Sequence, residues 1–556
     1  MGKIKSVLFA LAFLAFISFS EAQNRFAVYY KYKPQSGFTL SNPGEYLSAK
    51  ALQRRQREGL SADSLDLPVA KKYEEVVSSQ ATYLLYSSKW LNASVVIAEE
   101  SQAKVLEALP FVDRVELVAR GSIPPPSGRV KNYLRVSASS SVNCEDPKLN
   151  SRITEVGANQ SYQFQNEILG IDVMHEEGFT GKGITIAVFD AGFPGVNQAK
   201  GFQNLMANGQ IIGQKDLIRP WNPSVFTDHP HGTNVLSLIG ANDPGVLVAG
   251  AYESEFVLVI TEEVATEYRI EELNWVRGAE YADSLGVDII SSSVGYWDFD
   301  DPSMDYTVSD LDGNTATITK GASIAANKGI LVVNSVGNYG ARGTSSLVAP
   351  ADAIGILAIG SVNSSLDVSG FSSRGPTGDG RLKPDLVAYG ESPILLRANG
   401  TSGAASGTSF SAPQVTALAA GLWQARPEWK KAELIQRLLE SASKFENPDN
   451  NFGYGIPNFY QAYFGEILSA ETEEEVEWKV FPNPLVGEEL KIYFGTGLES
   501  QFELIDLTGK VLIQTKLIRS EAKSPYVVQL SGVKPGLYLV QMTDGLLVNQ
   551  AKLLKQ

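Results

Sequence analysis

Three histidines in 556 residues, His175, His229 and His231, leave few candidates for a general base that titrates near neutral pH. His231 opens the run His-Gly-Thr-Asn-Val-Leu-Ser-Leu-Ile, where Val235, Leu238 and Ile239 share a helical face, so it stands at a helix start. His229 falls in the loop before it, and Gly232 leaves room for a peptide backbone beside the imidazole. Ser409 lies in Gly407-Thr-Ser-Phe-Ser-Ala-Pro, which runs into the helical face Val415, Leu418, Ala419 and Leu422. Its hydroxyl therefore sits at a helix N-terminus, where unpaired N–H groups and the dipole favour negative charge on a developing oxyanion. Pro413, just past the first turn, removes a backbone bond. A second Gly-Thr-Ser at Gly400 to Ser402 lacks both the Ser-Ala-Pro and the helical run. Asp190 ends Ile184-Thr-Ile-Ala-Val-Phe-Asp-Ala-Gly; a carboxylate there is a helix cap, a ligand-end acid, or a triad member. The chemistry open to these residues is nucleophilic attack by an activated hydroxyl.

Competing chemistries fit less well. His175 is followed by Glu-Glu-Gly-Phe179, so the zinc pattern His-Glu-x-x-His fails at its last position. No other spacing of His and Cys supports a zinc site. The single cysteine, Cys144, lies in a polar, Ser-rich stretch without a neighbouring His, and no intrachain disulfide can form. Ser409 does not sit in Gly-x-Ser-x-Gly, because Ser411 occupies the last position. Ser-x-x-Lys occurs at Ser101, Ser441 and Ser520, too often to discriminate.

The elements around these residues are legible from periodicity. From about Gly170 to Gly465 short apolar strands (184–189, 256–260, 287–290, 330–333 and 354–359) alternate with amphipathic helices, one carrying the stripe Ile270, Leu273, Val276, Ala279 and Ala282. Strands buried on both faces and separated by helices predict an α/β doubly wound parallel sheet, with chemistry beyond the strands' carboxyl ends. Before it, strand candidates 26–30, 93–97 and 112–118 and a helix from Ser101 to Leu109 predict a small α+β unit. After Val480 the helical period is lost, Leu490, Ile492 and Phe494 alternate, and Thr508-Gly509 and Asp544-Gly545 signal hairpin turns, predicting a small β-sandwich.

The order Asp190, His231, Ser409, with gaps of 41 and 178 residues, is that of subtilisin and differs from the chymotrypsin and α/β-hydrolase orders. Over roughly Gly170 to Gly465 the chain resembles the subtilase family: Asp190-Ala-Gly, His231-Gly-Thr and Gly407-Thr-Ser-Phe-Ser-Ala-Pro match its signature segments. Ala191 stands where the family more often has Ser or Thr, and Asn234 replaces a frequent second His; neither touches a reacting group. The resemblance implies that Ser409 attacks a peptide bond, His231 carries the proton and Asp190 orients His231. Gly337-Asn338, after the strand 330–333, implies that Asn338 Nδ2 and the Ser409 N–H hold the oxyanion. Ser291-Ser-Ser-Val-Gly295 resembles the segment that pairs with substrate as an added strand, so that Ser293, Val294 and Gly295 contact the peptide backbone; an ordinary sheet strand is the alternative. The implied activity is that of a serine endopeptidase acting on polypeptides through an acyl-enzyme. The other reading is a cell-surface binding protein on a silent scaffold, which a missing triad or oxyanion residue would mark; none is missing. No cofactor is required, and structural calcium is not legible: Asp298, Asp300 and Asp301 cluster, as solvated loops do.

The flanks complete the organisation. Lys3 and Lys5, the apolar run Val7 to Phe19 and Ser20-Glu21-Ala22 have the layout of a signal peptide over 1–22, the alternative being a membrane anchor; no later stretch is long and apolar enough to span a bilayer. Residues 23–120 resemble inhibitory subtilase propeptides through Trp90-Leu-Asn-Ala-Ser-Val and Leu109-Pro-Phe-Val-Asp-Arg-Val, so the propeptide is itself a partner, and self-cleavage is expected between about Gly121 and Gln165. Residues 121–165, with Pro124-Pro125-Pro126, read as a linker, 166–465 as the catalytic domain, and the acidic run 466–479 as a second linker. Residues 480–556 resemble the C-terminal sorting domains of the Bacteroidetes type IX secretion machinery, through Phe481-Pro-Asn-Pro, Asp506-Leu-Thr-Gly-Lys, Gly536-Leu-Tyr-Leu-Val and Lys552-Leu-Leu-Lys; a generic accessory sandwich is the alternative. The chain is expected to leave through the periplasm for the surface or the medium. Its formal net charge of −15 argues against nucleic-acid or anionic-membrane partners.

Overall fold

Asn24–Tyr30 (β1) is buried along its whole length, because it lies inside a sheet covered on both sides. It pairs antiparallel with Ala93–Ala98 (β3) and Val112–Ala119 (β4), and Tyr83–Ser88 (β2) adds to β3 in the order β2-β3-β1-β4. The period of two divides its side chains. Phe26, Val28 and Tyr30 pack with Val77 and Leu106 of the helices Lys71–Gln80 and Glu100–Glu107, whereas Ala27 and Tyr29 pack with Ile270 and Leu273. The α+β unit anticipated from sequence is thus welded to the region that follows it. The computed structural model describes residues 23–35, 37–121, 162–465, 478–493, 498–506, 508–519, 525–544 and 547–555. The signal segment 1–22, Cys144, most of the 121–165 region and the acidic run 466–477 lie outside the described residues.

Seven parallel strands form the central sheet: Thr185–Asp190 (β5), Ile211–Asp216 (β6), Glu255–Ile260 (β7), Ile289–Ser292 (β8), Leu331–Ser335 (β9), Leu357–Val362 (β10) and Leu386–Tyr389 (β11). Their order is β11-β10-β9-β8-β5-β7-β6, every neighbouring pair parallel. From β5 the chain runs out to the edge strand β6, returns through β7 and crosses to β8, then winds outward to β11, so strand order reverses about β5, where loops diverge and leave a cleft. The helices His231–Gly240 (α1) and Thr408–Ala425 (α2) pack together; α2 lies across β8 to β11 and α1 against β5. Ile270–Leu285 (α3) and Thr317–Asn327 (α4) pack together and carry the first unit. One continuous core holds Phe189, Val259, Trp275, Ile290 and Val332, and Trp90 of the first unit joins it. Residues 1–462 accordingly form one compact unit.

Residues 463–556 form a second unit. Its described strands make two antiparallel sheets, Lys479–Phe481, Glu489–Tyr493 and Tyr526–Gln529 in one, and Val511–Ile518, Glu499–Asp506, Gly536–Asp544 and Leu547–Lys555 in the other. Leu490, Ile492, Phe502, Leu504, Val540 and Met542 fill a common core, giving the sandwich expected from their alternation. Among the described residues no helix is long and apolar enough to cross a membrane.

Candidate active site

Asp190 is the last residue of β5, a strand with every side chain buried, so the carboxylate is delivered to the sheet's carboxyl edge at the point where strand order reverses. Both of its oxygens lie 2.9 Å from His231 Nδ1, and Oδ1 also accepts from the Ala191 N–H at 2.7 Å. Of the three roles open to Asp190 in the sequence, the His231 contact is the one a triad member would make. A carboxylate only accepts, so Nδ1 carries the proton and Nε2 is left as the basic atom. Burial pulls the imidazolium pKa down, but the charge and hydrogen bond of Asp190 outweigh it, and the net shift is upward. His229 stays in the loop, its Nδ1 accepting from the His231 N–H at 3.4 Å; burial and the neighbouring His231 lower its pKa.

Gly232 has a different use from the one expected. A Cβ there would lie 2.4 Å from Gly192 O and 2.8 Å from the Asp190 Cβ. The missing side chain makes room for the Asp190 loop, not for a bound backbone.

Ser409 is the second residue of α2, so its N–H lacks an intrahelical acceptor, as at any helix start. Its Oγ donates to the Ser293 carbonyl at 3.4 Å, and Ser293 Oγ donates to the Ser409 carbonyl at 3.0 Å. Asn338 Oδ1 accepts from the Thr408 N–H at 2.9 Å and Thr408 Oγ1 at 3.1 Å. A backbone N–H can only donate, so this contact fixes which atom is oxygen and leaves Nδ2 as the donor beside Ser409. The similar Ser402 begins the strand Ser402–Ser406, remote in kind from a helix N-terminus.

The segment Ser293, Val294 and Gly295 lies just past β8, whose ladder ends at Ser292. It is not part of the sheet, and the Val294 carbonyl accepts from Asn334 Nδ2 at 3.2 Å. Asp190, His231, Ser293, Val294, Gly295, Asn338 and Ser409 all line one cleft. The cleft brings together every site residue named from the sequence, and adds Phe410, whose ring lies 5.5 Å from that of His231.

Sequence reasoning missed the opposite wall: Glu262, Glu263, Glu267 and Glu271 line the same cleft. The available signal was the density of glutamates directly after β7, at the edge where a doubly wound sheet places its ligands. The aspartates 298, 300 and 301 do not act as one cluster. Asp298 meets the Tyr339 hydroxyl, Asp300 accepts from the Glu267 N–H, and Asp301 pairs with Arg120. Among the described residues no group of three His, Cys, Asp or Glu could hold a metal ion.

Comparison with known proteins gives matches over most of the chain. The family model described as the subtilase family matches residues 181–455, a propeptide domain of peptidase S8 from Bacteroidota matches 25–132, and a secretion system C-terminal sorting domain matches 479–556. Subtilisin amylosacchariticus of Bacillus subtilis subsp. amylosacchariticus is 30% identical over 294 residues, covering 52% of this chain and 68% of its own. A subtilisin of Bacillus pumilus is 28% identical over 292 residues, 52% of this chain and 94% of its own. Among solved structures, the epidermin leader peptide processing serine protease of Staphylococcus aureus superposes with a TM-score of 0.53 at 15% identity, over 82% of this chain and all of that one, a likeness of fold.

Proposed function

The chain belongs to the subtilase family of serine endopeptidases, carries a propeptide and a sorting domain for export, and on that premise we propose how its own residues act. Ser409 Oγ attacks a peptide carbonyl of a polypeptide substrate. His231 Nε2 takes the hydroxyl proton and later gives it to the leaving amine, while Asp190 holds the ring and stabilises the imidazolium. The tetrahedral oxyanion is met by Asn338 Nδ2 and the Ser409 N–H, and water then resolves the acyl-enzyme. Ser293 to Gly295 offer unladdered backbone against which a substrate strand adds. The observation carrying this reading is the Asp190–His231 contact in a cleft that also holds Ser409 and Asn338.

The zymogen processes itself between residue 121 and the start of the catalytic unit. Gln165 is buried, with its amide bonded to the Ile394 carbonyl and N–H at 3.1 and 2.8 Å, so it belongs to that unit and the cut precedes it. The type IX machinery then carries the protein outward by its tail. The test is labelling with a fluorophosphonate. Processed wild-type protein should carry one adduct, on Ser409, and Ser409→Ala should stay unlabelled and uncleaved. Unlabelled but correctly processed wild-type protein would instead support the silent binding scaffold.

A further inference from the structure

The wall opposite Ser409 carries four carboxyl groups that the proposed chemistry does not use: Glu262, Glu263, Glu267 and Glu271. They occupy the loop after β7 and the first turn of α3. Two of them are in conflict. Glu262 and Glu271 are both buried, and the charge of Glu262 disfavours ionisation of Glu271, while the hydrogen bonds that Glu262 accepts come from the Tyr296 and Thr261 hydroxyls. Burial pushes Glu262 up to about 7 and raises Glu271 well above the carboxylate range, the charge of Glu262 adding to it. Glu271 is 2% exposed and lines the cleft, and its buried Oε1 has no hydrogen-bond partner. The third, Glu263, is already answered by a cation: Arg25 of β1 places Nη1 2.6 Å from Glu263 Oε2, with side-chain exposures of only 5% and 17%.

We propose that this wall is a specificity site for an arginine or lysine side chain of the substrate near the scissile bond, and that Arg25 of the propeptide fills part of it until activation. The proposal rests on the peptidase reading above. A guanidinium or ammonium group beside them offsets the cost of ionising these buried carboxyls and brings donors to a wall that has an unpartnered oxygen at Glu271. It also replaces Arg25 at Glu263 once the propeptide leaves. The carboxylates are strung along the wall and do not converge as metal ligands do, which suits an extended organic cation.

The experiment uses self-processed enzyme and internally quenched peptides in which each position flanking the cut carries Arg, Lys, norleucine or Glu in turn. At one position kcat/KM should favour Arg or Lys over norleucine by about tenfold or more. Glu263→Gln and Glu271→Gln should each shrink that ratio, and Glu263→Lys should move the preference toward Glu. Glu263 is the more exposed of the two, so its variants keep the test decisive if a change at Glu271 disturbs folding. Cleavage with no basic preference at any position, or a basic preference that survives every variant, overturns the proposal and leaves the peptidase reading intact. Wild-type protein that neither cleaves nor takes a fluorophosphonate overturns the peptidase reading, and the proposal with it.

Discussion

Asp190 and His231 illustrate how two opposing terms decide one residue's behaviour. Burial alone would make His231 a weaker base, and Asp190 reverses the sign, so the folded pKa lies above the ordinary 6.5. The catalytic form is the neutral ring, so activity should rise with pH through a midpoint above 6.5, measured as kcat/KM on a peptide whose own groups do not titrate there. Asp190→Asn should slow self-processing by about 10⁴-fold, because the amide no longer holds the ring in the right tautomer. Gly232 belongs to the same scale. In Gly232→Ala the new methyl would sit 2.8 Å from Asp190 Cβ, and the loop must yield. Turnover should fall about 100-fold in steady-state kinetics, since a misplacement of about 1 Å is enough. A Gly232→Ala enzyme with wild-type turnover would show that the Asp190 loop adapts freely.

Among elements, the helix Ala49–Glu58 does work that its small size does not suggest. Ser48 caps its start by accepting from the Ala51 N–H, and Gly59, at φ 73, ends it. Its Arg54 and Arg55 are both about 2% exposed and meet Asp283 near the end of α3, while Arg55 also forks onto Asp66, which Lys328 reaches at 3.0 Å. Gly286, at φ 88, permits the approach: a Cβ there would lie 2.5 Å from the Ala51 nitrogen. Asp283→Asn leaves two buried guanidinium groups short of charge, and should cost the zymogen about 3–5 kcal/mol, read from denaturation of the uncleaved Ser409→Ala chain. Desolvation would raise the pKa of Asp66, but Arg55, the Asp63 N–H and Lys328 together bring it below the ordinary 3.8. Its contribution is therefore complete above about pH 4 and is lost as pH falls through the folded value. Amide exchange over residues 49–58 should accelerate in that acid window and stay slow at neutral pH.

At the scale of the whole molecule, the first 462 residues behave as one body and the sandwich as another. The propeptide touches the catalytic region through packed apolar surface around Trp90 and through buried ion pairs, two terms with different fates. Ion pairs regain water when the propeptide leaves, so their net contribution is small, whereas the apolar contact is lost outright. The sandwich is the part of the chain that matches a secretion system sorting domain. Deleting residues 480–556 should therefore strand a protein that still labels with fluorophosphonate in the periplasm. Unchanged arrival at the surface or in the medium would remove the sorting role.

The sequence by itself determined the family and the layers. Taken singly, Asp190, His231 and Ser409 were ambiguous in sequence, and their chain order, the scarcity of histidine and the family's signature segments are what marked them as one set. The parallel sheet and the terminal sandwich were legible because periods of 3.6 and 2 are local properties. Tertiary structure alone decided which distant groups meet. Arg25 reaches Glu263 across 238 residues and Arg55 reaches Asp283 across 228, and no local pattern announces either pairing. Gly232 reads in sequence as open space, and only the packed fold shows that Asp190 fills it. The acidic wall likewise looks in sequence like solvated glutamates. Its position beside His231 follows from the reversal of strand order at β5, which draws the loop after β7 over the carboxyl end of its neighbour.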